Sequence, residues 1–355
     1  MHLVKSDKIF IMKAGAMSGA KLQDVALRAG VSLATASLAL SGKGRISTGV
    51  RERVQGAALQ LGYSARRDIA SGAATAAARF GILHADDRAY EWNFVRPAIV
   101  ELERFLHQKG MAPVLLPFAA RSSAEHVLQI VIAAGVTAVF AIQYSNGKVL
   151  EELVRRGVRV VVINNSQFQD QLPTVCVDDF QGAYEGTRSL LAFGHRSFGF
   201  VEYERPESPA VVADRFVGFR KALDEHHIAF SAEQRITISF MDARRLASRL
   251  RTVFSRQMKP TAIFAHDDFL GLYVIAALRE MGLEVPRDVS LVAPGDVLDY
   301  SLPLMPQITT MRIDMTLLGR TAANLMIDAM RTGNSEVHVL KVKEQIVHRA
   351  SCRKL

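Results

Sequence analysis

The chain has 355 residues, 49% hydrophobic and 22% charged, with a formal net charge of +9. That length exceeds one compact core, so two or three domains are expected, and the composition is that of a globular chain. Two cysteines, Cys176 and Cys352, are too few for a disulfide framework or a zinc site and read as reduced thiols, and no apolar run approaches the ~18 residues of a membrane span.

The first twenty residues hold one short apolar run, Ile9-Phe10-Ile11-Met12, ended by Lys13. It is too short for the core of a signal peptide, so residues 1–20 are expected as a flexible extension, with Met17 as an alternative start. The charge is placed unevenly. Residues 1–79 carry 12 Lys and Arg against 4 Asp and Glu, a net of +8, whereas the remainder is close to neutral. A cationic module on a near-neutral body suits phosphate binding, and equally a generic solvated basic surface.

Residues 21–63 read as three short helices. Leu22, Val25 and Ala26, then Ala36 and Leu40, then Val50, Val54, Ala57, Ala58 and Leu61 recur at helical spacing. Ala26 is small enough for a second helix to approach, and Gly30 tolerates the positive φ of a tight turn. Ser32 is placed to cap the second helix, about 33–41, and Ser47 or Thr48 the third, which Gly62 ends. Residues 64–78, an Arg66-Arg67 pair followed by an Ala-rich stretch, read as a linker. From Phe80 the pattern alternates. Apolar, β-branched runs at Phe80–Leu83, Pro113–Leu116, Ala138–Ile142, Val158–Ile163, Ser197–Val201, Ala262–Ala265 and Val289–Val292 predict buried parallel strands. Amphipathic helices are predicted at 95–109, 148–156, 181–193, 211–227, 243–257 and 268–281. The fold class is therefore an all-α helix-turn-helix headpiece plus a two-lobed α/β domain with two doubly wound parallel sheets.

Asp24-Val25-Ala26, Ala29-Gly30-Val31-Ser32, Thr35, Ser37 and Leu61-Gly62-Tyr63 resemble the headpiece of the lac repressor/galactose repressor (LacI/GalR) family. Further motifs follow in family order: Gly194-His195-Arg196; Ala213-Asp214-Arg215 with Gly218-Phe219-Arg220; Pro260 to Ala265 with Asp267-Asp268; Val285-Pro286 with Asp288 to Val292; and Thr309-Thr310. The resemblance spans about residues 21–350. It implies a periplasmic-binding-protein-like effector and dimerisation domain over 79–355, with lobe 1 near 79–177 and 311–335 and lobe 2 near 178–310 and 336–350. It also implies a cytoplasmic bacterial repressor, nucleoid-associated when bound, whose homodimer holds a pseudo-palindromic DNA operator under control of a small effector, a sugar or related metabolite.

On the resemblance, the second helix would enter the major groove with Ser32 at its start. Leu33, Ala34 and Leu38 would face bases, unless Leu33 and Leu38 are core. Thr35, Ser37, Ser47 and Arg51 would meet phosphate or sugar. Leu and Ala cannot make bidentate hydrogen bonds, so base reading would lean on thymine methyl groups. Arg66 and Arg67 would touch minor groove or phosphate. Ile69 is the candidate wedge, because Gly72 stands where the family inserts a leucine, and Asp68 adds a negative charge nearby.

Ligands of α/β lobes bind at strand C-terminal ends. The loop 84–94 brings Asp86, Tyr90, Trp92 and Phe94, an aromatic wall for a planar ligand or a packing cluster. Arg215 would hold a polar or anionic group, and Asn164, just after a strand, is a further candidate. Asp267 and Asp296 would accept ligand protons or cap helices. Gly295 stands where the family often carries an acid that holds a sugar hydroxyl. The dimer interface is expected on the helices near 95–109 and 268–281. Nothing calls for a cofactor, a metal or a catalytic set: His226-His227 and His266-Asp267-Asp268 have no evident partners, and phosphate-loop and nucleophile-elbow motifs are missing. The rivals are a periplasmic-type solute-binding protein, an α/β enzyme and a regulator that senses a protein partner.

Overall fold

A computed structural model describes residues 22–41, 46–61, 78–85, 89–119, 122–204, 209–240, 242–256, 259–333 and 336–355. The chain divides into two units, residues 1–69 and 70–355. Gly62, Tyr63, Arg66, Arg67, Asp68, Ile69, Gly72 and Asp86 lie outside the described residues.

The first unit is built from α1 (Leu22–Ala29), α2 (Leu33–Ser41) and α3 (Thr48–Leu61). Val25, Ala26, Ala29, Ala36, Ala39, Val54, Ala57 and Ala58 form its core. Six of these eight are alanines, and small residues of this kind let three short helices pack closely. Gly30 ends α1 at φ +64° and turns the chain: its N–H donates to the Leu27 carbonyl at 3.2 Å, and the Val31 N–H to that of Ala26 at 3.0 Å. Ser47 precedes α3 and its carbonyl accepts from Val50 and Arg51.

The second unit holds two six-stranded sheets. In the first, β1 (Phe80–Ala85), β2 (Val114–Phe118), β3 (Ala138–Ile142), β4 (Arg159–Ile163), β5 (Thr174–Val177) and β11 (Val339–Val342) lie in the order β11-β5-β4-β3-β1-β2, all parallel. In the second, β6 (Phe198–Tyr203), β7 (Arg235–Ile238), β8 (Ala262–Ala265), β9 (Ser290–Gly295), β10 (Thr309–Arg312) and β12 (Gln345–Val347) run β12-β10-β9-β8-β6-β7; only β12 is antiparallel.

Helices cover both faces of each sheet, which is why the central strands are apolar throughout. On the first sheet, α4 (Ala89–Gln108) and α11 (Met315–Thr332) cover one face, α5 (Ala124–Ala133) and α6 (Gly147–Arg155) the other. On the second, α7 (Asp179–Ala192) and α8 (Pro209–Glu225) lie opposite α9 (Ala243–Phe254) and α10 (Asp268–Glu280). Gly319 brings α11 onto α4: a Cβ there would stand 2.6 Å from the Ala98 carbonyl oxygen.

The chain passes between sheets three times: after β5, after β10 and after β11. The expected return points at 310/311 and 335/336 therefore shift. Strand β10 stays in the second sheet through Arg312, and β11 joins the first sheet at Val339, so the final return comes at residues 343–344. The cause is that β11 pairs with the exposed side of β5, an edge that sequence periodicity does not reveal.

Candidate DNA-reading helix and effector cleft

The local order of α2 follows from its cap. Ser32 Oγ accepts the Thr35 N–H at 3.1 Å and lies 2.8 Å from Thr35 Oγ1, satisfying a donor that the first helical turn leaves open. Ala36 and Ala39 anchor the helix inward, at 0% and 1% exposure. Ser32, Leu33, Ala34, Ser37 and Leu38 point outward and Thr35 is half-buried. Leu33 and Leu38 are 45% and 41% exposed, so the alternative that they belong to the core does not hold. Ser47 is exposed and Arg51 half-buried in the first turn of α3, its Nε shielded and without a hydrogen-bond partner.

In the second unit all three crossings leave the C-terminal end of a strand, so these ends of both sheets converge where the chain passes between them. At that place Arg215 of α8 is 6% exposed and Asp179, at the start of α7, 4%. The Arg215 Nε and Nη2 both meet Asp179 Oδ1 at 2.7 Å, and Nη1 donates to the His266 carbonyl at 2.5 Å. Arg215 thus ties the start of α7 to the end of β8. Glu344, on the last crossing, buries its carboxylate near the pair; neither oxygen has a hydrogen-bond partner, and a Cβ on Gly182 would collide with it. Burial pushes Asp179 above the ordinary carboxylate range, with the Arg215 charge pulling the other way. Burial likewise pushes Glu344 well up, again opposed by Arg215. The arginine expected to greet a ligand is therefore already engaged on two sides.

Asp267 is 7% exposed and caps α10 by accepting the Leu270 N–H at 2.7 Å, the cap reading of this residue. Asp296, at φ +73°, is held by Arg349 (2.5 Å), Arg312 and the Thr310 hydroxyl (2.8 Å). These contacts hold its carboxyl below the ordinary range in spite of partial burial. Gly295 takes φ +124°, and a Cβ there would come within 2.7 Å of Asp268 Oδ1. Asp268 is fully buried, accepts from Val297 N–H, Leu298 N–H and the Tyr300 hydroxyl, and is pushed up to about 6 by burial.

On the first lobe, the segment expected as a loop to Phe94 is helical from Ala89. Tyr90 and Trp92 lie in the opening turns of α4, and Phe94 packs against the core of the first sheet, the packing alternative for this residue. Asn164 ends β4 at φ +56°, and its N–H donates to the Val175 carbonyl.

Sequence reasoning missed several residues at the strand ends. Asp179 and Glu344 are the partners of Arg215. His84, 4% exposed, closes β1. Phe240 stacks on Phe269 at 6.4 Å and meets Tyr203 at 5.2 Å, and Tyr203 meets the His266 ring edge-on at 5.8 Å. The doublet Asp178-Asp179 directly after an apolar run was the available signal for the first of these.

A three-helix module with a capped, outward-facing second helix, joined to two doubly wound lobes with converging strand ends, defines a helix-turn-helix regulator with a ligand-binding body. Residues 21–65 match the bacterial regulatory proteins of the lacI family, and residues 187–352 match the periplasmic binding protein-like domain. The HTH-type transcriptional repressor PurR of Klebsiella pneumoniae (strain 342) is 27% identical over 348 residues, covering 94% of this chain and 96% of that protein. Among solved structures, a transcriptional regulator CelR–cellobiose complex superimposes with a TM-score of 0.66 at 22% identity, covering 94% of this chain and 99% of that one. The lac repressor dimer bound to operator and the anti-inducer ONPF gives 0.63 at 21% identity, covering 95% and 100%. The chain thus combines a LacI-family helix-turn-helix domain with a periplasmic binding protein-like domain, the two parts of a DNA-binding transcriptional regulator.

Proposed function

We propose that this chain is a cytoplasmic repressor, acting as a homodimer on a pseudo-palindromic operator, with operator affinity set by a small metabolite held at the converging strand ends. The observation that carries the reading is the two-faced α2: Ala36 and Ala39 are buried in the headpiece core while Leu33, Ala34, Ser37 and Leu38 are on its exposed face. Base reading is assigned to that face, with Ser32, Thr35, Ser47 and Arg51 as phosphate or sugar contacts. Arg66, Arg67 and Ile69 keep their assigned hinge roles.

The effector site is assigned to the strand ends around Arg215, with Asn164 and Asp267 beside it, and Asp86, Tyr90 and Trp92 keep their assigned ligand roles. Because Arg215 and Asp296 are each held by ion partners, a ligand there competes with those contacts, and this couples binding to the crossings between lobes. The coupling free energy expected of such a switch is about 1–3 kcal/mol. The relative solved with cellobiose makes a sugar or related metabolite the first class to try. The α10 and α4 helices are assigned to the dimer interface.

The test is selection of bound duplexes from random DNA by the full-length protein, repeated with metabolite pools. The expected result is a two-fold symmetric consensus whose recovery changes in at least one pool. A selection that returns no consensus overturns the proposal.

A further inference from the structure

We infer that the operator half-site is read chiefly through pyrimidine 5-methyl groups, thymine above all, rather than through hydrogen bonds to base edges. The inference rests on the assignment of the outward face of α2 to bases. From Val31 to Ser41 the chain carries no charged residue and no Asn, Gln, His or Tyr. The outward positions Leu33, Ala34, Ser37 and Leu38 form one patch, because 33 and 37, and 34 and 38, are neighbours one turn apart. Discrimination by paired hydrogen bonds needs a forked group such as Arg, Asn or Gln, and α2 carries none.

The hydroxyls do not fill this gap. Ser32 and Thr35 are 2.8 Å apart and Ser32 Oγ is engaged by the Thr35 N–H. That leaves Ser37, a single hydroxyl, which reads any base with an acceptor or a donor. What remains is two leucines kept 45% and 41% exposed on a cationic module. In the major groove the one apolar mark on a base is the C5 methyl. Each methyl covered by such a side chain gains about four-fold in affinity, from the free energy of burying one carbon.

The experiment uses the full-length protein and two random duplex libraries, one built with thymine and one with uracil. The best thymine duplex is then remade with single thymine-to-uracil replacements, and with thymine·adenine pairs replaced by cytosine·guanine or 5-methylcytosine·guanine. Expected are at least two thymines per half-site whose replacement by uracil weakens binding about four-fold each, with the salt slope unchanged. At those positions 5-methylcytosine should bind better than cytosine. In Leu38→Ala or Leu33→Ala, the uracil penalty should vanish at one of them. Both leucines are exposed, so these variants fold, and a thermal melt verifies it.

Equal binding of the thymine and uracil duplexes overturns the inference. If the leucine variants nonetheless change the selected consensus, α2 still reads bases by another route. If they leave both consensus and affinity unchanged, the base-reading assignment itself fails.

Discussion

Replacing Arg215 by Met, a side chain of similar length without charge, isolates the buried cluster at the lobe crossings. In the native chain one guanidinium, 6% exposed, serves Asp179, the His266 carbonyl and, at longer range, the Glu344 carboxylate. The variant leaves Glu344 without its cation and Asp179 with only the longer-range charge of Lys341. Removing one member of a buried ion pair costs about 3–5 kcal/mol. At ~2 °C per kcal/mol for a domain of this size, melting of the effector unit at pH 7.5 should fall by roughly 6–10 °C.

The pH dependence has a definite sign. Asp179 and Glu344 are both raised in the folded chain above their ordinary values of 3.8 and 4.5. The folded state therefore keeps protons that the unfolded chain releases. The stability contributed by these groups is fully present below the unfolded values and is lost as pH rises through the folded ones. Loss of Arg215 raises both groups further and steepens that decline, so the gap between variant and parent should narrow on acidification from pH 7.5 to 5. Calorimetry of both proteins across that range is the assay. An Arg215→Met protein that melts with the parent at pH 7.5, or a gap that stays constant to pH 5, refutes the reasoning.

Gly30→Val tests the headpiece turn. A Cβ at Gly30 meets nothing within 4 Å, so the whole cost is the backbone strain of φ +64°, about 1–2 kcal/mol. The headpiece transition should drop while that of the effector unit holds, and Gly30→Asn should recover most of the loss; equal melting of Gly30→Val and parent contradicts this. Asp268→Asn tests the loop after β9. With Asp268 pushed up from 3.8 to about 6 by burial, its contribution to stability declines as pH rises through that window. The shift corresponds to roughly 3 kcal/mol, which the amide should abolish. Melting profiles of parent and variant that run parallel from pH 4 to 7 would rule it out.

The sequence carried the headpiece and the layered body well, because both rest on local patterns. The runs Ala138–Ile142 and Ala262–Ala265 are strands with the predicted bounds, since five or four apolar residues between helices leave little choice. Strands β5, β7, β10, β11 and β12 were not predicted. Val339–Val342 lies at a sheet edge with three exposed residues and shows no buried face to detect. Thr309–Arg312 begins with two threonines whose burial depends on distant partners such as Ser351 and Arg349. Helix α5 was missed because Val127 to Ile132 reads equally as a buried strand.

At the candidate effector site the sequence offered residue types but not their pairings. Asp267 caps the start of α10 and Asp296 follows the end of β9, while Arg215 lies inside α8. However, Asp179 lies 36 positions before Arg215, and Arg349 follows Asp296 by 53. Contacts at such separations are decided by the crossings between sheets, which no window of the sequence contains.

The central claim is that an α2 seated in a cationic module engages duplex DNA. Its most direct test is the salt dependence of duplex binding by the full-length protein, measured beside Arg51→Ala. The logarithm of affinity should fall linearly with that of salt concentration, and loss of Arg51 should weaken binding across all sequences and flatten the slope by about 1. Association with no duplex at any salt concentration would contradict the account.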